Sequence, residues 1–239
     1  MTMLTEHDKK WLLENYPNLS YSEDKVISGT VTFKATYNKD INRFLILDNN
    51  IENTIGGLEL GGTFSISIKK TPDKNLSELP SLYIEGVNPI VSRHINETPD
   101  NHRACLCSPF IEDQYLTPTF SFKRYFEELV IPFLYGQIFY DQETRWPWED
   151  LSHGSIGLLE SYVKINNSSK AKECLEKLPR DIKNWRDIRL LLVQKKPIKG
   201  HTLCFCKNGT KIRNCHIDAW KGAERLRQDI RNQSLVIPQ

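Results

Sequence analysis

The hydrophobic period of this chain switches from that of strands to that of helices near residue 105, and the switch restricts the folds open to it. Upstream, Thr63-Phe64-Ser65-Ile66-Ser67-Ile68-Lys69 alternates apolar with polar, as a half-buried antiparallel strand does. Downstream, Phe122, Tyr125, Phe126, Leu129, Val130 and Phe133 recur at three- and four-residue steps, which predicts a helix from about Ser121. Strands gathered ahead of helices imply an α+β fold, not strands and helices wound alternately.

Thr5 is placed to cap a first helix through about Asn15, with Trp11, Leu12 and Tyr16 on one side and Pro17 ending it. Strand character follows at Val26–Tyr37, Arg43–Leu47, Thr63–Lys69 and Leu79–Ile84, with Gly56-Gly57 and Gly61-Gly62 as punctuation. The expected order is helix, four-stranded antiparallel meander, loop, then helices. A Trp146-Pro147-Trp148 loop precedes a helical stretch opened by His153-Gly154, and further helices are expected near Ala171–Leu178 and Asp181–Val193. Asn166-Asn167-Ser168-Ser169 reads as a boundary, dividing a body of residues 1–165 from an extension of residues 166–239.

A net charge of +2 conceals an asymmetry across that boundary. From Lys164 onward there are 18 Lys+Arg against 7 Asp+Glu, leaving 14 against 23 before it. An acidic body with a basic extension suits an acidic partner, or a solvated helical surface. Nucleic-acid binding by the basic tail is the weaker reading. No basic end followed by an apolar segment opens the chain, and Leu129–Tyr140 is too short to span a bilayer, so a cytoplasmic protein with no membrane contact is expected. In a reducing compartment, six cysteines point to metal ligation or catalysis.

Two cysteine groups carry the chemistry. In the first, His94-Ile95-Asn96 precedes Ala104-Cys105-Leu106-Cys107 by a short polar stretch. A thiolate is a strong nucleophile and a good leaving group, and a nearby amide can donate to the oxyanion formed when an amine attacks a thioester. Cys105 is the expected nucleophile, Asn96 the oxyanion donor and His94 the residue that fixes the loop. His153, at a helix start, is a further candidate acid or base, and His102 a nearer one. Cys107, two residues on, reads as core or as a partner in redox regulation, and Cys174 reads as core.

In the second group, Cys204-Phe205-Cys206 and Cys215-His216 flank a turn containing Gly209. Three thiols and an imidazole at this spacing suit tetrahedral Zn2+ in a structural role. So small a segment, about residues 201–220, is expected to depend on the metal for most of its folding. No phosphate-binding glycine loop is present, so an acyl group must arrive activated.

The stretch from His94 to Cys107 resembles the active site of ubiquitin-conjugating enzymes, in which His-Pro-Asn leads into Cys-Leu-Asp. Here Ile95 stands for the proline and Cys107 for the aspartate, and the gap is about one residue longer. The element order from residue 5 to 163 is also similar to the ubiquitin-conjugating (UBC) fold. Cys204–His216 resembles the SEC-C zinc motif, with Lys207-Asn208-Gly209 where Gly-Ser-Gly is usual. Together these resemblances imply a UBC-like protein of short type II CBASS antiphage operons. They imply that Cys105 forms a thioester with the C-terminus of the cGAS/DncV-like nucleotidyltransferase encoded alongside. The alternative is a non-catalytic interaction module that docks partners through the zinc segment.

Overall fold

The computed structural model describes residues 4–22, 26–47, 52–70, 78–96, 102–116, 119–149 and 151–238. The chain is α+β and divides into two compact units, residues 1–107 with 111–150 and residues 108–110 with 151–239.

In the first unit, α1 (Glu6–Asn15) begins at the expected cap. The Thr5 hydroxyl accepts from the Asp8 N–H at 3.1 Å, and the Asp8 carboxylate accepts from the Thr5 N–H at 2.9 Å. Two donors that the first turn leaves unpaired are thereby satisfied, a feature worth about 1 kcal/mol. Among the described residues the strands are β1 (Leu19–Tyr21), β2 (Val26–Asn38), β3 (Arg43–Leu47), β4 (Leu58–Lys69) and β5 (Ser81–Ile84). All pairings are antiparallel.

The order of the sheet corrects the expected meander. The continuous path is β1-β2-β4-β5, and β3 lies off it, paired with β2. One edge of the long β2 is shared, β1 taking Ile27–Gly29 and β3 taking Lys34–Asn38, while β4 covers the other edge from Val26 to Tyr37. The three residues of β1 are too few to display alternation in the sequence. Gly61 and Gly62 lie inside β4 and do not punctuate it. A Cβ on Gly62 would stand 2.9 Å from the Ile138 side chain, so the glycine admits the helix that covers the sheet.

That helix begins at Ser121, whose hydroxyl accepts from the Arg124 N–H, and runs as α3 (Phe122–Tyr125), a widened π turn over Phe126–Val130, and α4 (Ile131–Glu143). The π turn sits directly ahead of Pro132, which lacks the N–H that an α-helix would direct at the Glu128 carbonyl. Tyr125, Phe126 and Tyr135 are fully buried in one core with Ile27, Ile68 and Leu82 of the sheet. A short helix, α2 (Pro109–Leu116), follows the cysteine-bearing loop.

The second unit is helical: α5 (Gly154–Ile165), α6 (Ala171–Lys177), α7 (Ile182–Val193), α8 (Ile212–Cys215) and α9 (Ile217–Asn232). Its boundary falls at Leu151, earlier than the expected break after residue 165, because α5 packs on α9 and shares its core. Asn166 marks only the left-handed end of α5, at φ 50°. A Cβ on Gly222 of α9 would lie 2.0 Å from the Leu159 carbonyl oxygen, so glycine sets how closely these helices approach. Among the described residues, no helix is long and apolar enough to cross a membrane.

Candidate functional site

The loop after β5 brings the first cysteine group together through one pair of residues. Ile95 and Ala104 form an antiparallel bridge, closed by the Asn96 N–H donating to the Arg103 carbonyl at 3.1 Å and the Cys105 N–H donating to the His94 carbonyl at 2.7 Å. Ile95 and Ala104 are 3% and 6% exposed and turn into the core. Pleat alternation sends the neighbouring residues outward, and Asn96, Arg103 and Cys105 are all exposed. Asn96 stands opposite Arg103 and diagonal to Cys105, a relation that places such residues about 7–8 Å apart on one face. The exposed cation at Arg103 is a member of this face that the motif did not reveal.

Cys107 takes the other direction. It packs with Leu106 against the core, and burial, followed by the charge of Glu112, pushes its thiol well above the ordinary range. A group so held is a thiol at neutral pH and a poor nucleophile. His94 adopts a left-handed conformation at φ 55°, and its ring meets Trp146 edge-on at 4.7 Å. Trp146 in turn donates from its indole N–H to the Ser92 carbonyl at 2.9 Å. The Trp146-Pro147-Trp148 loop thus supports this turn by packing. His102 is exposed beside the bridge. His153 belongs to the second unit, where it occupies the N-cap position of α5, and Cys174 is fully buried there.

The second cysteine group forms a compact cluster within the helical unit. The ligand atoms of Cys204, Cys206, Cys215 and His216 all lie within 4.8 Å of one another. His216 Nδ1 is 3.2 Å from Cys204 Sγ and 3.0 Å from Cys215 Sγ, and Cys206 and Cys215 Sγ are 3.5 Å apart. A tetrahedral ion with Zn–S of about 2.3 Å and Zn–N of about 2.0 Å needs edges of roughly 3.5–3.8 Å, which the four donors bracket, so modest side-chain adjustment would let them hold one.

The local fold follows from the sequence. Leu203 and Lys211 pair across the turn, Lys207 and Gly209 take positive φ, and the Asn208 side chain both accepts from the Thr210 N–H and donates to Cys215 Sγ. Burial pushes the Cys204 thiol up to about 12. Burial also opposes ionisation of Cys206, but the Asn208 N–H and the other two thiols outweigh it and hold that thiol below its ordinary value. Cys206 is therefore more readily ionised than Cys204, and metal ligation requires the thiolate form.

The segment expected to depend on the metal for most of its folding also has a share in the core of its unit. Phe205 and Ile212 are buried in the core shared with α9, so part of the segment is held by packing. The features thus define an α+β chain with an outward-facing Cys105–Asn96 face and a Cys3His cluster able to bind a metal ion. Compared with protein-family models, curated proteins and solved structures, the chain matches none of them.

Proposed function

We propose that the chain is a UBC-like acyl carrier that transfers the C-terminal carboxyl of a partner protein through a thioester on Cys105. The observation that carries this reading is the exposure of Cys105 on the same outward face as Asn96, with Cys107 turned into the core.

Chemically, the Cys105 thiolate attacks an activated carbonyl, such as the thioester of an activating enzyme. The donor's thiol leaves and the acyl group rests on Cys105 Sγ. An amine then attacks the same carbonyl, Asn96 donates a hydrogen bond to the oxyanion, and collapse forms an amide, releases the thiolate and leaves a proton to solvent. The partner that the resemblance implies is the CBASS cGAS/DncV-like nucleotidyltransferase, with modification tuning its cyclic-nucleotide signalling. The Cys3His segment, read as a SEC-C motif, would hold a structural Zn2+ and dock that partner. Its residues fit such an ion by donor type and spacing.

Co-expression with the nucleotidyltransferase, followed by non-reducing gels, tests the reading. A higher-mass adduct that thiols cleave, lost in Cys105→Ala and retained in Cys107→Ala, is expected. Co-purification without any adduct would favour a docking module instead.

A further inference from the structure

The turn that delivers His94 and Asn96 to this face is gripped by one stripe of α4. Phe133, Gly136, Gln137, Tyr140 and Asp141 recur at three- and four-residue steps, and all of them reach Ser92, Arg93 or Trp146. Asp141 pairs with the Arg93 guanidinium, which lies 4.9 Å from the Tyr140 ring centroid. The Tyr140 hydroxyl donates to Ser92 Oγ at 2.9 Å. Phe133 packs on Trp146, and a Cβ on Gly136 would stand 1.9 Å from the Trp146 ring, so only glycine admits that indole.

Gln137 differs from the rest because packing does not account for it. Its side chain is fully buried beneath the turn, where an amide costs about 1–3 kcal/mol unless it is hydrogen-bonded. Both of its ends go to one residue: Nε2 donates to the Arg93 carbonyl at 2.9 Å, and Oε1 accepts from Arg93 Nη1 at 3.4 Å. An apolar side chain would fill the space but could not fix a carbonyl. The carbonyl it fixes belongs to the peptide entering His94, whose own carbonyl accepts the Cys105 N–H. A short, fully bonded path therefore runs from the helix to both arms of the Ile95–Ala104 bridge.

We infer that Gln137 is a positioning residue that holds the Asn96 amide in register with Cys105 Sγ. Resting on the thioester reading above, this assigns Gln137 to discharge of the thioester and not to its formation. Formation requires only an exposed thiol. Discharge requires a donor held at the position of the oxyanion, and a displacement of about 1 Å there can cost up to a hundredfold.

Two variants separate the possibilities. Gln137→Glu keeps the volume and the acceptor for Arg93 but loses the donor to its carbonyl, whereas Gln137→Met loses both. Each is to be made in the full chain and checked for native circular dichroism, so that if one fails to fold the other still decides. Discharge to free lysine should fall about tenfold or more, with thioester formation unchanged. Combination with Asn96→Ala should add no further loss, because both changes remove the same function. Hydrogen exchange at the Asn96 and Cys105 amides should quicken.

Equal losses in formation and discharge, losses that multiply with Asn96→Ala, or wild-type discharge would each overturn the assignment. If the unaltered protein forms no thioester, the functional reading fails by itself. Exchange then judges the positioning role alone: faster exchange upholds the link to the loop, and unchanged protection at Asn96 and Cys105 removes it.

Discussion

Cys105 and Cys107 are separated by a single residue, yet one thiol is offered to solvent and the other is kept protonated by its surroundings. The Ile95–Ala104 bridge turns Cys105 outward, and the chain leaves extended pairing beyond it, where Leu106 and Cys107 pack against the core. Iodoacetamide at pH 8, followed by peptide mapping, should modify Cys105 at least about tenfold faster than Cys107 or Cys174. Comparable labelling of Cys107 would mean that the burial described here is not maintained.

Asp181 provides a second test through pH. Burial works against its charge, but the Ser155 N–H at 2.9 Å and the Asn184 amide at 3.0 Å outweigh this, so the carboxyl titrates below its ordinary range. Its folded pKa lies below the unfolded one, so the stabilisation is complete above about pH 4 and disappears as pH falls through the folded value. The stability gap between wild type and Asp181→Asn should therefore narrow from pH 5 to pH 2 in urea titrations. A gap independent of pH would show that the charge contributes nothing. Pairing of His94-x-Asn96 with a cysteine was legible from spacing, but Arg103 and Gln137 were not. Their relation to the site exists only once a bridge and a helix bring them there.

Strands and helices with strong, continuous patterns were readable, and those built from small or few residues were not. β1 was missed because three residues carry no period, and Arg43–Leu47 took its place in the expected meander. α9 was missed as well. Its buried face is made of Ala219, Gly222, Ala223, Leu226, Arg227 and Ile230, three of them too small, and one charged, to register as a hydrophobic stripe. Those small residues let α9 approach α5. Gly222→Ala would thrust a Cβ into the Leu159 carbonyl and should lower unfolding stability by about 1–3 kcal/mol, measured by chemical denaturation. An unchanged midpoint would contradict the close packing of these helices. The Cys3His cluster was legible residue by residue because donor types and spacings that suit a metal ion are local in the sequence. Its partial support by Phe205 and Ile212 was not, since that depends on α9.

Each unit has its own core, and the Cys3His cluster able to bind a metal ion lies in one of them. Chelation should therefore lower a thermal transition of the helical unit while leaving the Cys105 alkylation rate unchanged. The purified protein should contain one zinc per chain, and Cys206→Ser should lose it. Loss of Cys105 reactivity on chelation would contradict this separation. The charge asymmetry read from the sequence follows the same division, with most of the basic residues in the unit that carries the Cys3His cluster. The measurement that bears most directly on function is the site of covalent attachment. The adduct formed with the co-expressed nucleotidyltransferase should be isolated under non-reducing conditions, digested and sequenced by mass spectrometry. A linkage between the partner's C-terminal carboxyl and Cys105 Sγ, cleaved by hydroxylamine, is the expected result. Attachment at Cys107, or no covalent linkage at all, would contradict the thioester mechanism.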